Sequence, residues 1–433
     1  MLSRSAYAGR FLFRVYTNVE VIERQNTVMK KPRPFPSVTV TRKQENRIKD
    51  GHPWVYAEEI VTQPDTVENG SLVDVMGTKG NYLGTGFWSQ LSQIRIRILD
   101  HNANETFSDA FFARRVHYAV SYRRDVMRDQ FSACRLIHGE ADGLPGLTVD
   151  RYNDILVSEV LSYGTEQKKD VIYSALLSEL NATGEEIHGI YERNEGELRK
   201  KEGLPQYKGW YGEDHPSSCI TVINENGILY KVDVENGQKT GFFLDQKYNR
   251  LAIRPLAQGR NVLDCCTHTG SFAMNAVAGG AAHVTAVDIS ESALAMAKEN
   301  AAMNHMDHSI EFVQADLMEL LPRLLSEHAN YNFIVLDPPA FTKSRRTFEH
   351  ARMGYAKINT LAMRLLPRGG YLATASCSHF MPTEQFRDML KEAGKAAGVS
   401  VRIIEERHAA FDHPVMLSIP ETDYLKFFLV QVL

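Results

Sequence analysis

The feature that most constrains the fold is a series of apolar segments that each end in an aspartate. Four successive segments end in this way, at Asp264, Asp288, Asp316 and Asp337. Stretches with helical periodicity separate them, and further apolar segments follow toward the carboxyl terminus. Regular alternation of strands and helices is typical of a parallel sheet covered by helices. We therefore predict, from about residue 250 onward, a Rossmann-like sheet of seven strands that ends in an antiparallel hairpin.

The ends of these strands form a candidate cofactor site, because ligands bind beyond the carboxyl ends of strands in open α/β sheets. The first turn contains a single glycine, so the three-glycine dinucleotide fingerprint is absent. Asp288 suits ribose hydroxyls and Asp316 suits an adenine amino group, although Asp316 could instead only cap a helix. A ribose and an adenine without a pyrophosphate indicate S-adenosylmethionine. The candidate cofactor contacts are Asp264, Thr269, Gly270, Phe272, Asp288, Ile289, Asp316, Leu317, Asp337 and Pro338.

Two candidate catalytic groups, Asp337 and Cys377, follow neighbouring apolar segments. A thiolate can add to C6 of a pyrimidine and make C5 a carbon nucleophile toward a methyl donor. The pKa of a free thiol is about 8.5, so Cys377 needs surroundings that favour its thiolate. Asp337 would hold the N3–N4 edge of cytosine and could assist removal of the C5 proton. If Cys377 is only a packing residue, the turn that begins at Asp337 would serve methylation of a nitrogen instead.

The length of 433 residues predicts several domains. Residues 37–105 combine short strands with glycine turns, which is typical of a small β-barrel of a size that suits RNA binding. Residues 106–235 form a predicted α+β unit, in which residues 200–214 are expected to be an exposed loop. A weakly ordered extension, residues 1–36, and the Rossmann-like domain, residues 236–433, complete a multidomain α/β protein.

Composition excludes several classes of protein. The five cysteines include no paired C-x-x-C, so neither disulfides nor a metal site is expected. No apolar run approaches the roughly twenty residues of a membrane helix, and we expect a cytoplasmic protein without a membrane partner. The net charge is −4, yet basic clusters near residues 30–49, 114–128 and 343–346 could neutralise the phosphates of a nucleic acid.

Taken together, these segments resemble the PUA-domain class I methyltransferases that make 5-methylcytosine in bacterial large-subunit (23S) ribosomal RNA. The resemblance covers roughly residues 37–433 and rests on seven segments: Arg47 through Trp54, Asp142-Gly143-Leu144-Pro145-Gly146, Gln238 through Gln246, Thr269-Gly270, Asp337-Pro338-Pro339, Ser376-Cys377-Ser378 and Asp412-His413-Pro414. It implies a PUA RNA-binding barrel, a central α+β domain, a Rossmann-like domain that binds S-adenosylmethionine, Cys377 as the nucleophile and a homodimer. Two positions depart from the family pattern: His379 replaces a common glycine, and Ala340 replaces a bulkier residue.

The resulting hypothesis is a ribosomal RNA (cytosine-C5)-methyltransferase that works through a covalent adduct with Cys377. Methylation of a purine ring or an exocyclic nitrogen is one alternative, and a non-catalytic RNA-binding ribosome assembly factor is another. The candidate substrate contacts are Lys43, Arg47, Trp54, Lys239, Gln246, Pro339, Lys343, Arg345 and His413.

Overall fold

The computed structural model describes residues 33–341 and 345–433, with Arg345 through its backbone alone. The predicted extension up to residue 32 therefore lies outside the described residues. Arg33, the first described residue, is bound to the first domain: its guanidinium donates to the Asp74 carboxylate at 2.9 Å and to the Thr85 hydroxyl at 2.9 Å.

The first domain is a curled sheet of six strands around one apolar cluster. Its elements are β1 (Ser37–Val40), α1 (Arg42–Lys49), β2 (Trp54–Tyr56), β3 (Ile60–Thr62), β4 (Leu72–Met76), β5 (Tyr82–Trp88) and β6 (Ile94–Asp100). The strand order is β2-β6-β5-β4-β1-β3. Alternate side chains point inward, as Ile96 and Ile98 do on β6. The predicted PUA-like fold is confirmed.

The central region is a five-stranded sheet with helices. Its elements are α2 (Asp109–Met127), β7 (Ala133–His138), β8 (Leu147–Tyr152), β9 (Ile155–Val160), α3 (Tyr163–Glu166), α4 (Lys169–Asn181), β10 (Gly189–Asn194), α5 (Glu197–Lys201) and β11 (Tyr207–Tyr211). The order is β11-β10-β9-β8-β7. The expected exposed loop at residues 200–214 is wrong, because β11 pairs antiparallel with β10. Its aromatic side chains hold it there: the Trp210 ring lies 5.1 Å from Tyr191, and the Tyr211 ring 4.9 Å from Tyr173.

The carboxyl-terminal region follows the predicted alternation. The hairpin of β12 (Ile220–Glu225) and β13 (Ile228–Asp233) precedes it, and it contains α6 (Lys247–Ala257), β14 (Asn261–Cys265), α7 (Ser271–Ala278), β15 (His283–Asp288), α8 (Glu291–Met303), β16 (Ile310–Gln314), α9 (Leu317–Ser326), β17 (Phe333–Leu336), α10 (Phe348–Leu365), β18 (Tyr371–Ser376), α11 (Thr383–Ala397), β19 (Val401–Arg407) and β20 (Lys426–Val432). The seven-stranded order is β16-β15-β14-β17-β18-β20-β19. The strands from β16 to β18 are parallel, and β20 pairs antiparallel with both β18 and β19. The Rossmann-like sheet with its terminal hairpin is confirmed.

Consecutive residues of these strands enter two separate cores. Val262 packs in the cluster shared with α6, α7, α8 and the β12–β13 hairpin, whereas Leu263 packs in the cluster shared with α9, α10 and α11. The hairpin is also hydrogen-bonded to α8, where Asn300 accepts from the Lys231 N–H at 2.9 Å. A sheet covered on both faces leaves only its edges and strand ends for chemistry.

Candidate active site

The strand order reverses between β14 and β17, in the middle of the sheet. β14 pairs in parallel with β15 on one side and with β17 on the other. Connections leave β14 and β17 in opposite directions, so a crevice forms beyond their carboxyl ends, where ligands bind in sheets of this kind. Asp264 and Asp337 lie at this crevice, and the Asp337 N–H donates to the carbonyl of Cys265 at 3.4 Å.

Asp264 is a buried carboxyl at the base of the crevice. Its Oδ2 accepts from the Thr267 hydroxyl at 2.6 Å and from the Ala273 N–H at 2.9 Å. Its Oδ1 has no hydrogen-bond partner in the part of the chain that the structure describes. Burial raises the pKa of Asp264 to about 7, and the charges of Asp337 and Asp288 act in the same direction. Since buried polar atoms are nearly always paired, Oδ1 is a position for a ligand donor.

The turn between β14 and α7 lies close against α8. Gly270 has a φ of +82°, and an added Cβ would lie 3.1 Å from the Cβ of Ala297, so the position favours glycine. Asn300 on α8 donates to the carbonyl of Thr269 at 3.1 Å. The buried Thr269 hydroxyl has no partner among the described residues. Together with Asp264 Oδ1 it gives this turn two unpaired polar atoms, which fits a polar cofactor.

The next two aspartates of the series differ in their contacts. Asp288 at the end of β15 accepts the N–H groups of His268 and Ser290, each at 2.9 Å. These bonds fix the carboxylate at the crevice, and each oxygen keeps a lone pair for a ribose hydroxyl. Asp316 accepts the Met318 N–H at 2.6 Å and caps α9. The capping alternative for Asp316 is therefore observed, and its contact with adenine stays a prediction.

The remaining candidate cofactor contacts are apolar. Ile289 is 66% exposed, which leaves an apolar surface beside the crevice for a flat ring. The Phe272 ring is in the core, 6.1 Å from the ring of Phe427, so only its backbone can face a cofactor. Leu317 packs in part against the opposite core, and Pro338 is buried.

Asp337 and Cys377 follow the neighbouring parallel strands β17 and β18, whose register pairs Leu336 with Thr374. Cys377 is half-buried. Burial raises the pKa of its thiol, and the charge of Asp337 acts in the same direction. Burial also raises the pKa of Asp337 to about 6, with the charge of Asp245 adding to the effect. A carboxyl with a pKa near neutrality beside a thiol is an arrangement suited to proton transfer.

Side chains from distant segments surround this pair. Gln246 donates its amide to Asp337 at 3.0 Å. Asp245 Oδ2 accepts from the Lys239 amine at 2.8 Å and from the Tyr424 hydroxyl at 2.7 Å, and its buried Oδ1 is unpaired among the described residues. Although burial alone would raise the pKa of Asp245, Lys239 holds it below its ordinary value. The site therefore contains one firmly ionised carboxylate and one that can gain a proton.

Sequence analysis missed four residues around this pair, namely Asp245, Tyr424, Tyr355 and Lys426, whose amine donates to the carbonyl of Ser378. Asp245 lies in a segment that carried the resemblance, which was its only signal. Tyr424 and Lys426 precede or begin an apolar strand, and Tyr355, whose hydroxyl accepts from Ser376 at 3.0 Å, lies within a helix. None of these three has a local sequence pattern that indicates a site.

The predicted substrate contacts fall in several places. Lys239 and Gln246 lie in the site, and Pro339 is exposed beside it. Arg47 and Trp54 lie between domains: the Arg47 guanidinium is 3.7 Å from the Glu421 carboxylate, and the Trp54 indole donates to Glu140 at 2.8 Å.

The other predicted substrate contacts are more distant or outside the described residues. Lys43 is 84% exposed at the surface and pairs with Glu59. His413 is buried, its Nδ1 lies 2.9 Å from Asp412 Oδ1, and its ring is 5.4 Å from that of His138. Lys343 and the side chain of Arg345 lie outside the described residues.

The sequence matches two family profiles, a PUA-like domain over residues 38–101 and an S-adenosylmethionine-dependent methyltransferase over residues 209–415. Two solved chains each align over 92% of this chain and 100% of their own length, with a TM-score of 0.77 and 22% identity. One is described as a candidate S-adenosylmethionine-dependent methyltransferase from Streptococcus mutans, and the other as a methyltransferase candidate complexed with SAH. Fold and matches define an S-adenosylmethionine-dependent methyltransferase with a PUA-like domain.

Comparison with a curated relative identifies the family within this class of methyltransferases. The ribosomal RNA large subunit methyltransferase I of Serratia proteamaculans is 38% identical over 392 residues, which cover 90% of this chain and 98% of the relative. The chain belongs to the ribosomal RNA large subunit methyltransferase I family.

Two further observations bear on partners. Within residues 33–341 and 345–433, no helix is both long and apolar enough to cross a membrane. Over the same residues, no group of three or more His, Cys, Asp or Glu side chains is arranged to hold a metal ion.

Proposed function

We propose that the protein methylates C5 of a cytosine in large-subunit ribosomal RNA through a covalent bond between Cys377 and C6. The observation that carries this proposal is the placement of the Cys377 thiol and the Asp337 carboxyl at the ends of neighbouring strands, beside the crevice lined by the unpaired atoms of Asp264 and Thr269. The name of the Serratia proteamaculans relative supports ribosomal RNA as the substrate.

In the first step, the Cys377 thiolate attacks the cytosine ring. Its sulfur forms a bond with C6, and the electron pair of the C5–C6 double bond moves toward C5. Asp337 holds the N3–N4 edge of the base, and in its protonated form it can donate to N3 as negative charge enters the ring. S-adenosylmethionine, when bound, supplies the methyl group that C5 receives.

The product is released by elimination. The Asp337 carboxylate takes the proton from C5, directly or through water. The electrons of the C5–H bond restore the C5–C6 double bond, and the sulfur leaves C6 as a thiolate. Cys377 is thereby regenerated.

RNA binding is assigned to the PUA-like barrel of residues 37–105. It would hold structured RNA while the target base is turned out of its stack into the pocket. The domain limits at residues 36, 105 and 235, a homodimeric assembly and a cytoplasmic location belong to this proposal.

The test is methyl transfer from radiolabelled S-adenosylmethionine to ribosomal RNA from a strain that lacks the gene, followed by nucleoside analysis. We expect label in 5-methylcytidine with the wild type and none with Cys377→Ala. Cys219→Ala is the matched control, because Cys219 is also half-buried and lies before β12, outside the site. RNA that contains 5-fluorocytosine at the target should form a covalent complex with the wild type but not with Cys377→Ala.

Other outcomes would overturn the proposal. Label in a purine, or on an exocyclic nitrogen, would make Cys377 a packing residue and assign the chemistry to Asp337. Absence of label with both free RNA and assembling subunits would favour a non-catalytic assembly factor.

A further inference from the structure

Lys426 is a buried lysine next to the candidate nucleophile. It is the first residue of β20 and is 1% exposed, and the strand register pairs it with Ser376. Its amine donates to the carbonyl of Ser378 at 2.6 Å and to the carbonyl of Tyr424 at 2.8 Å. Both residues that flank Cys377 are therefore in direct contact with Lys426, one through the backbone ladder and one through the amine.

Burial of a lysine without an anionic partner is costly, because its charged form loses hydration that no carboxylate replaces. Among the described residues Lys426 makes no ion pair with a carboxylate, and its partners are two carbonyls. Burial lowers its pKa to about 8, whereas the charges of Asp423 and the Cys377 thiolate act in the opposite direction. Below that pH the amine carries a positive charge close to the thiol.

The charged groups around Cys377 include two lysines, Lys239 and Lys426, and these differ in their partners. The groups that face the thiol are Asp337 after β17, Tyr355 on α10, Lys239 and Asp245 before α6, and Lys426 on β20. The Lys239 amine is already paired with Asp245 at 2.8 Å. Among the described residues, Lys426 is thus the cation in this set that forms no ion pair with a carboxylate.

We propose that Lys426 is a positioning residue for Cys377: it holds the Ser376-Cys377-Ser378 turn through the carbonyl of Ser378 and supplies the positive charge that favours the thiolate over the thiol. This inference rests on the proposed role of Cys377 as the nucleophile. The charge of Lys426 and its hydrogen bond to the Ser378 carbonyl act on the turn before any RNA binds, so the effect is measurable on the free protein.

The experiment measures alkylation of Cys377 by iodoacetamide in the full-length protein without RNA, from pH 6 to pH 10, with mass spectrometry to separate Cys377 from the other cysteines. The variants are Lys426→Met, which removes the charge, and Lys426→Arg, which keeps it. Lys247→Met is the matched control, because Lys247 is also buried and also donates to backbone carbonyls, those of Ala133 and Gln130.

We expect Lys426→Met to slow the alkylation of Cys377 about tenfold below pH 8, where the wild-type amine is charged, and to leave the rate near pH 10 unchanged, since the wild-type amine is neutral there. Lys426→Arg should restore most of the rate below pH 8, and Lys247→Met should leave the whole profile unchanged. The wild-type profile should itself bend near pH 8, where Lys426 loses its charge, and this part of the test needs no variant to fold.

Equal rates for the wild type and Lys426→Met below pH 8, or an unbent wild-type profile, would overturn this role. Either result would leave the proposed methylation intact, since that is tested by product analysis with Cys377→Ala. Conversely, a slower rate in Lys426→Met together with label only in purines would support the Lys426 contact and contradict the methylation.

Discussion

The two halves of the crevice are built differently. In the cofactor half, Asp264, Asp288 and Asp316 are held by donors no more than 20 residues away, namely the turn hydroxyl of Thr267 and backbone N–H groups. In the reacting half, Asp337 is held by Gln246, 91 residues away, and the Ser378 carbonyl by Lys426, 48 residues away. Local turns therefore shape the cofactor half, whereas the reacting half depends on the assembly of the whole domain.

The largest expected effect tests whether the halves are chemically separate. Asp337→Asn keeps an acceptor for Gln246 but removes the ionisable group, so we expect turnover to fall by about 10² to 10⁴-fold. The dissociation constant for S-adenosylmethionine should change only a few-fold. Single-turnover methylation and calorimetry measure the two quantities. Loss of cofactor binding with unchanged turnover at saturation would show that Asp337 belongs to the cofactor half.

The pH dependence of stability depends on the difference between the pKa of Asp337 in the folded state and its pKa in the unfolded state. The pKa of Asp337 is raised from 3.8 to about 6, so the stability that it contributes is fully present below about pH 4 and is lost as the pH rises to about 6. Relative to the wild type, Asp337→Asn should gain up to about 3 kcal/mol in its free energy of unfolding across this interval and nothing more above it. Urea denaturation at a series of pH values measures the difference. A difference that does not vary with pH would contradict the raised pKa.

A smaller effect is expected in the cofactor half. Asp288→Ala removes a carboxylate that would bind ribose hydroxyls, so the dissociation constant for S-adenosylmethionine should rise by about 10 to 100-fold. Turnover at saturating cofactor should stay close to that of the wild type. Asp307→Ala is the control, because Asp307 is exposed and lies outside the crevice. An unchanged affinity in Asp288→Ala would limit this carboxylate to its bonds with His268 and Ser290.

The smallest effect concerns the turn that joins the cofactor half to α8. Gly270→Ala places a Cβ 3.1 Å from Ala297 at a left-handed φ of +82°, so the variant should lose about 1 to 2 kcal/mol of stability or slightly more. Gly259→Ala, with a φ of +68° and open space around the added Cβ, carries the backbone cost alone. Thermal denaturation of both variants, with and without S-adenosylmethionine, isolates the contact with α8. Equal losses of stability would show that α8 yields to the added methyl group.

Prediction from sequence succeeded where a short stretch carries the signal. The strands that lead to Asp264, Asp288 and Asp337 were recognisable because in each one mainly apolar residues precede the aspartate, as expected for a sheet buried on both faces. The strand Tyr207–Tyr211 was missed because glycine and charged residues surround it and its stability comes from aromatic contacts with Tyr191 and Tyr173. Asp316 showed the limit of a local pattern, since a strand-terminal aspartate and a helix cap have the same sequence.

The sequence by itself determined the alternation of strands and helices after about residue 250, the class of cofactor and the choice of Cys377 and Asp337 as candidate reacting groups. These features follow from periodicity and from which residue ends each strand. Only the tertiary structure decided that Asp245, Tyr424 and Lys426 surround those groups, and that Phe272 and His413 are buried. The physical reason is that strand pairing joins residues far apart in the chain, and the charges of their side chains affect one another only after that pairing has formed.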